Sequence, residues 1–99
     1  MTLEKDATGT RLTIVPDAEL DTIAARELEG ELRMAIDGVT ELVFDMREVN
    51  YMASAALRVL HSAQKVMKNQ GTMVVRNVKP EAMEIFEVTG FVDLLTIET

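Results

Sequence analysis

Leu42-Val43-Phe44 is an unbroken apolar run that ends on Asp45-Met46, and it stands between two stretches in which apolar residues recur every three or four positions. An unbroken run of this length belongs to a buried central strand. The flanking period belongs to amphipathic helices. A strand set between two helices requires crossover connections, so the sheet is at least partly parallel and the chain is committed to a layered α/β arrangement.

The other elements fit around that centre. Thr2 to Thr8 alternates loosely and carries Glu4, Lys5 and Asp6, as a charge-protected edge strand does. A turn at Thr8-Gly9-Thr10 leads into Arg11-Leu12-Thr13-Ile14-Val15, the second strand of a hairpin, which Pro16-Asp17 stops. The first helix is capped by Thr22, buries Ala25, Leu28, Leu32, Ala35 and Ile36, and is closed by Gly38. The second runs from about Ser54, with Ser54 as its cap, to Gly71, and Ala56, Val59, Leu60, Ala63, Val66 and Met67 form its core stripe. Met73-Val74-Val75 is a short strand. Pro80 opens a third helix that ends at Thr89-Gly90, and Leu94-Leu95-Thr96-Ile97 is a final strand. The expected order is β-β-α-β-α-β-α-β: an α/β fold with a mixed sheet of about five strands and helices packed mainly on one face.

Ninety-nine residues suit one domain over 1–99. With no cysteine and a single histidine, His61, disulfides, thiolate nucleophiles and multi-histidine metal sites are excluded. The net charge of −7 opposes binding to nucleic acid or anionic lipid. No apolar run reaches membrane-span length, and Met1 to Thr10 lacks the basic-then-apolar pattern of a signal peptide, so the expected location is the cytoplasm without membrane insertion. Seven methionines suit the filling of irregular core gaps.

Catalytic constellations are hard to assemble from what remains. Ser54 and His61 are two helical turns apart, about 10 Å, too far for a serine–histidine hydrogen bond. Asp21 and Asp45 stand at element boundaries, where capping is the ordinary role, and the glycines are scattered rather than gathered in a phosphate loop. No catalytic residue, cofactor or metal is expected. The segment that stands out is Asn50-Tyr51-Met52-Ala53-Ser54-Ala55-Ala56-Leu57, a strand-to-helix connection rich in small side chains that let another molecule approach the backbone. Helix propensity alone would also account for its alanines.

The succession of Ala18-Glu19-Leu20-Asp21, Leu42-Val43-Phe44-Asp45, Asn50-Tyr51-Met52, Gly71-Thr72-Met73-Val74-Val75, Asn77-Val78-Lys79-Pro80 and Val88-Thr89-Gly90-Phe91 resembles the STAS domain over nearly the whole chain. Within that family the chain is most similar to bacterial anti-sigma-factor antagonists. The resemblance implies a STAS-like fold and a non-enzymatic partner-switching role. Such a protein binds an anti-sigma factor that is also a serine kinase and so controls sigma-factor availability in transcription. The kinase ends the interaction by phosphorylating a hydroxyl at the start of the second helix.

The chain departs from the family's Asp-Ser-Ser/Thr-Gly-Leu-Gly pattern at that place, where it reads Ala53-Ser54-Ala55-Ala56-Leu57-Arg58. Ala55 occupies the acceptor position and has no hydroxyl. Ser54, one residue earlier, is the remaining candidate for phosphorylation. Three readings stay open: Ser54 has taken over, the switch is lost and the binder is constitutive, or the domain serves another complex. The expected partner-binding residues are Asp21, Thr22, Met52, Ala53, Ser54, Ala55, Ala56 and Arg58. A regulatory subunit of a membrane transport complex is the alternative within binding modules; a small hydrolase or phosphotransferase using Ser54 and His61, or a nucleotide sensor, are the alternatives beyond them.

Overall fold

The computed structural model describes residues 1–98. Strands β1 (Thr2–Lys5) and β2 (Arg11–Val15) form the opening hairpin. They are followed by β3 (Glu19–Leu20), helix α1 (Thr22–Ala35), β4 (Glu41–Asp45), β5 (Tyr51–Met52) and α2 (Ser54–Lys68). The chain continues through β6 (Thr72–Arg76), α3 (Pro80–Thr89), a 3₁₀ turn at Phe91–Asp93 and β7 (Ile97–Glu98). The main sheet has the order β1-β2-β4-β6-β7, antiparallel between β1 and β2 and parallel elsewhere. A second, two-stranded ladder pairs β3 with β5, an element pair absent from the sequence-based order.

Alternation along the strands decides which side chains the helices cover. Leu12, Ile14, Leu42, Phe44, Met73 and Val75 are buried against Leu28, Leu57, Leu60, Met67 and Phe86 in one core. Val43 faces the other way, between Thr13 and Val74, and is buried outside that core. Met46, Met52, Met67 and Met73 fill core positions.

Several boundaries differ from expectation. Asp21, rather than Thr22, caps α1: its Oδ1 accepts from the Ala24 amide at 2.8 Å, and Thr22 is the first helical residue. Helix α1 ends at Ala35, and Gly38, at φ +79°, makes the turn beyond. Ser54 does not cap α2; Ala53 holds that position without a side-chain bond. Val66 fits the helical period but is 43% exposed, because α1 leaves a groove over it. Leu57 is buried in its stead. The last strand begins at Ile97, after the 3₁₀ turn has carried Leu94 into solvent.

Gly71 fixes the junction between helix and sheet. A Cβ there would stand 1.9 Å from the Thr40 carbonyl oxygen. That carbonyl accepts from the Thr72 amide at 2.9 Å, so the close approach belongs to the β4–β6 pairing. Gln70 completes the join by donating from Nε2 to the Ile36 and Val39 carbonyls at 2.9 and 2.8 Å.

Candidate functional site

The β3–β5 ladder brings the two helix starts together. Glu19 pairs with Tyr51 and Leu20 with Met52 in parallel register, and each strand passes through one residue into its helix. The Ala53 amide donates to the Leu20 carbonyl at 2.8 Å, and the Asn50 amide to that of Ala18 at 2.8 Å. Asp21-Thr22 and Ala53-Ser54 therefore lie side by side at one end of the helical layer. A third connection is joined to them: Lys79, at the start of α3, donates from Nζ to Asn50 Oδ1 at 2.8 Å.

The side chains sort by helical geometry. Asp21, Thr22, Ser54 and Arg58 are exposed, and Ala53 and Ala55 are half-buried. Met52 and Ala56 are in the core, so neither can offer its side chain to a partner. Their place on the surface is taken by residues outside the expected partner-binding set: Glu19, Ile23, which is 68% exposed, and Tyr51, which is 47% exposed and belongs to the segment that stood out in the sequence. Solvent-facing Ile and Tyr beside two helix starts would have been a usable signal had the ladder been anticipated. The Asp21 carboxylate offsets the partial positive charge at the start of α1, whereas α2 has neither a side-chain cap nor an acidic residue in its first turn, so its start keeps the partial positive charge of its free amides.

The residues considered for catalysis are not gathered. His61, in the middle of α2, stacks edge-on against Phe91, with ring centroids 6.0 Å apart and planes at 85°. Asp45 ends β4, where Oδ1 accepts from the Arg47 amide and from Asn77 Nδ2, both at 3.1 Å, and Oδ2 accepts from Arg47 Nη1 at 3.1 Å. Asn77, which makes one of these bonds, stands at φ +56°, a conformation asparagine tolerates better than most residues. Asp21 is occupied in capping α1. Among the described residues no group of three or more metal-ligating side chains forms a cation site, and no helix is long and apolar enough to cross a membrane.

Two contiguous hollows follow the seam between α1 and α2. One, of about 310 Å³, begins beside Ala55 and is lined by Arg26, Glu29, Arg58, Val59 and Ser62. The other, of about 240 Å³, continues over Leu32, Ile36, Val59, Ala63 and Val66.

A mostly parallel sheet, helices on one face and two helix starts locked side by side define a small layered α/β domain. The profile of the STAS domain matches residues 2–99. The chain belongs to the STAS domain family. BtrV of Bordetella bronchiseptica, named as a candidate anti-sigma factor antagonist, is 36% identical over 75 residues, which cover 74% of this chain and 65% of BtrV. The match therefore spans just under two thirds of BtrV's length. The anti-sigma-B factor antagonist of Bacillus subtilis is 28% identical over 80 residues, 80% of this chain and 73% of that one. The anti-sigma factor antagonist SpoIIAA in its unphosphorylated form superposes with a TM-score of 0.83 at 20% identity, covering 99% of this chain and 87% of the other.

Proposed function

We propose that this chain is an anti-sigma-factor antagonist that docks an anti-sigma factor with serine-kinase activity on the paired starts of α1 and α2, and that it does so without a phosphorylation switch at position 55. The observation that carries this reading is the locked, exposed pair of helix starts, with half-buried Ala53 and Ala55 beside Ser54. Small side chains at such a place let a partner reach the backbone amides. The names of the two curated relatives support the same role.

Chemistry at one atom supports the reading without a switch. Alanine has no oxygen to receive a phosphoryl group, so position 55 cannot carry one. Ser54 does not stand in for it, because adjacent residues on an α-helix point about 100° apart. A kinase aimed at position 55 would meet a methyl group, with the serine hydroxyl turned away. The missing phosphate would have added about −1.5 to −2 charges to the docked surface, so its absence leaves the complex standing while ATP is present. The part played by the chain is binding and release of a protein partner, with no bond made on the chain itself.

The test uses the purified chain with each anti-sigma-factor serine kinase encoded in the same genome, in the presence of ATP. One kinase is expected to bind, and intact-mass analysis is expected to find no phosphate. Failure of every kinase to bind, or a phosphate on Ser54, would overturn the proposal.

A further inference from the structure

The chain has six arginines, and four of them have a carboxylate of their own. Arg11 pairs with Glu41 at 3.9 Å, Arg33 with Glu29 at 3.7 Å, Arg47 with Asp45 at 3.1 Å and Arg76 with Glu98 at 3.2 Å. Among the described residues, Arg26 and Arg58 have none within 4.0 Å. Acids are not scarce, since Asp and Glu number 17 against 10 Lys and Arg. Both of these arginines nevertheless line one hollow.

Their meeting is a product of register. The β3–β5 pairing sets Leu20 against Met52, and α1 and α2 then start two residues further on in each chain segment. Arg26 is the fifth residue of α1 and Arg58 the fifth residue of α2. They are therefore equivalent positions on two helices that begin side by side. The one carboxylate in the wall, Glu29, points its bridge to Arg33. Beyond Glu29, Val59 and Ser62, which both hollows share, the groove turns apolar over Leu32, Ile36 and half-exposed Val66.

We infer that Arg26 and Arg58 are specificity-determining residues that receive a carboxylate of the protein partner, and that the partner segment is an acidic amphipathic helix lying along the α1–α2 seam. The inference rests on the docking reading above and names what the docked partner must carry. Two arginines lining one hollow raise the positive potential there, and a carboxylate entering it can accept from a guanidinium fork on either side. The apolar stretch beyond suits one or two aliphatic side chains placed a turn or two along the same helix. A chain with a net charge of −7 would otherwise repel an acidic partner, so this local reversal of sign selects both the partner and its orientation.

The experiment measures affinity of the kinase for the wild type, for R26Q/R58Q and for R26E/R58E, at low and at moderate salt, with circular dichroism confirming that each variant is folded. Both side chains are exposed, so the neutral pair keeps the fold even if the reversed pair does not. The expected result is a loss of about tenfold or more for R26Q/R58Q and a larger loss for R26E/R58E. The wild-type affinity is expected to fall with salt more steeply than that of R26Q/R58Q. Replacing the contacting partner acid by arginine is expected to restore binding to R26E/R58E. If the kinase binds all three chains alike, the inference fails and the docking proposal stands. If no kinase binds the wild type, both fall.

Discussion

The Ala53 amide donates to the Leu20 carbonyl across 2.8 Å, although the two residues belong to segments separated by the whole of α1 and β4. This bond closes the β3–β5 ladder against the helix starts. It makes one surface of what the sequence presents as two unrelated connections, and it places Arg26 opposite Arg58.

Asp21 and Ser54 both precede or open a helix, yet only Asp21 is engaged in capping. Asp21→Ala removes the bond to the Ala24 amide and is expected to cost about 1 kcal/mol. For a domain of this size that lowers Tm by about 4–8 °C. Ser54→Ala is expected to change stability by less than about 0.5 kcal/mol. Urea denaturation of the two variants beside the wild type checks both figures, and a larger cost for Ser54→Ala would mean that it, rather than Asp21, carries a cap.

Two glycines give opposite expectations. Gly71→Ala forces a Cβ into the Thr40 carbonyl, which is held by the β4–β6 pairing and cannot withdraw cheaply. A loss of about 1–3 kcal/mol is expected, the usual cost of overpacking. Gly30 lies inside α1 with nothing within 4 Å of the place a Cβ would take, so Gly30→Ala is expected to gain about 0.5–1 kcal/mol. Guanidinium melts should move in opposite directions for the pair.

Asp6 gives the hairpin a pH dependence. Its Oδ1 accepts from the Arg11 amide at 3.3 Å, from the Thr8 hydroxyl at 2.9 Å and from the Thr10 amide at 3.1 Å. These bonds, that from Arg11 foremost and then that from Thr8, hold the carboxyl below its ordinary value. A carboxyl lowered in the folded state stabilises above its unfolded pKa, about 3.9, and that contribution is lost as pH falls through the folded value. Asp6→Ala is therefore expected to lower Tm at pH 7, with the gap to wild type closing as pH drops below about 4. A gap that stays constant across that range would contradict this account.

Much of the fold is legible because strong local signals agree with it. Arg11 to Val15 alternates, Pro80 and Gly90 bracket α3, and the Leu42-Val43-Phe44 run is the centre of the sheet. What stays hidden is non-local or lacks a side-chain signature. Glu19-Leu20 and Tyr51-Met52 are two residues each, too short to alternate, and become strands only by finding each other. Ala53 caps α2 by position alone, since alanine has nothing to bond with. Val66 has the period of a core residue, and only the placing of α1 leaves it in a groove. Leu94-Leu95 reads as strand because it is apolar, but the chain is still turning there after Gly90. The twin arginines are invisible until the ladder register is known.

Position 55 offers a check on the kinase itself. If the scaffold keeps the docking geometry of its family, Ala55→Ser is expected to acquire one phosphate on incubation with the bound kinase and ATP, and to lose affinity once it does. Mass spectrometry of the intact chain, followed by a second binding measurement, reads both. Binding without any phosphate on the serine variant would show that the kinase's active centre does not reach this helix start.

The central claim is that the paired starts of α1 and α2 are the surface on which the protein partner docks. Amide chemical shifts of the labelled chain during titration with the anti-sigma-factor kinase test it most directly. The account predicts that the largest changes fall on residues 19–26 and 51–58 and follow the seam towards Val66. Changes confined to the open face of the sheet, around Thr13, Val43 and Val74, would contradict it.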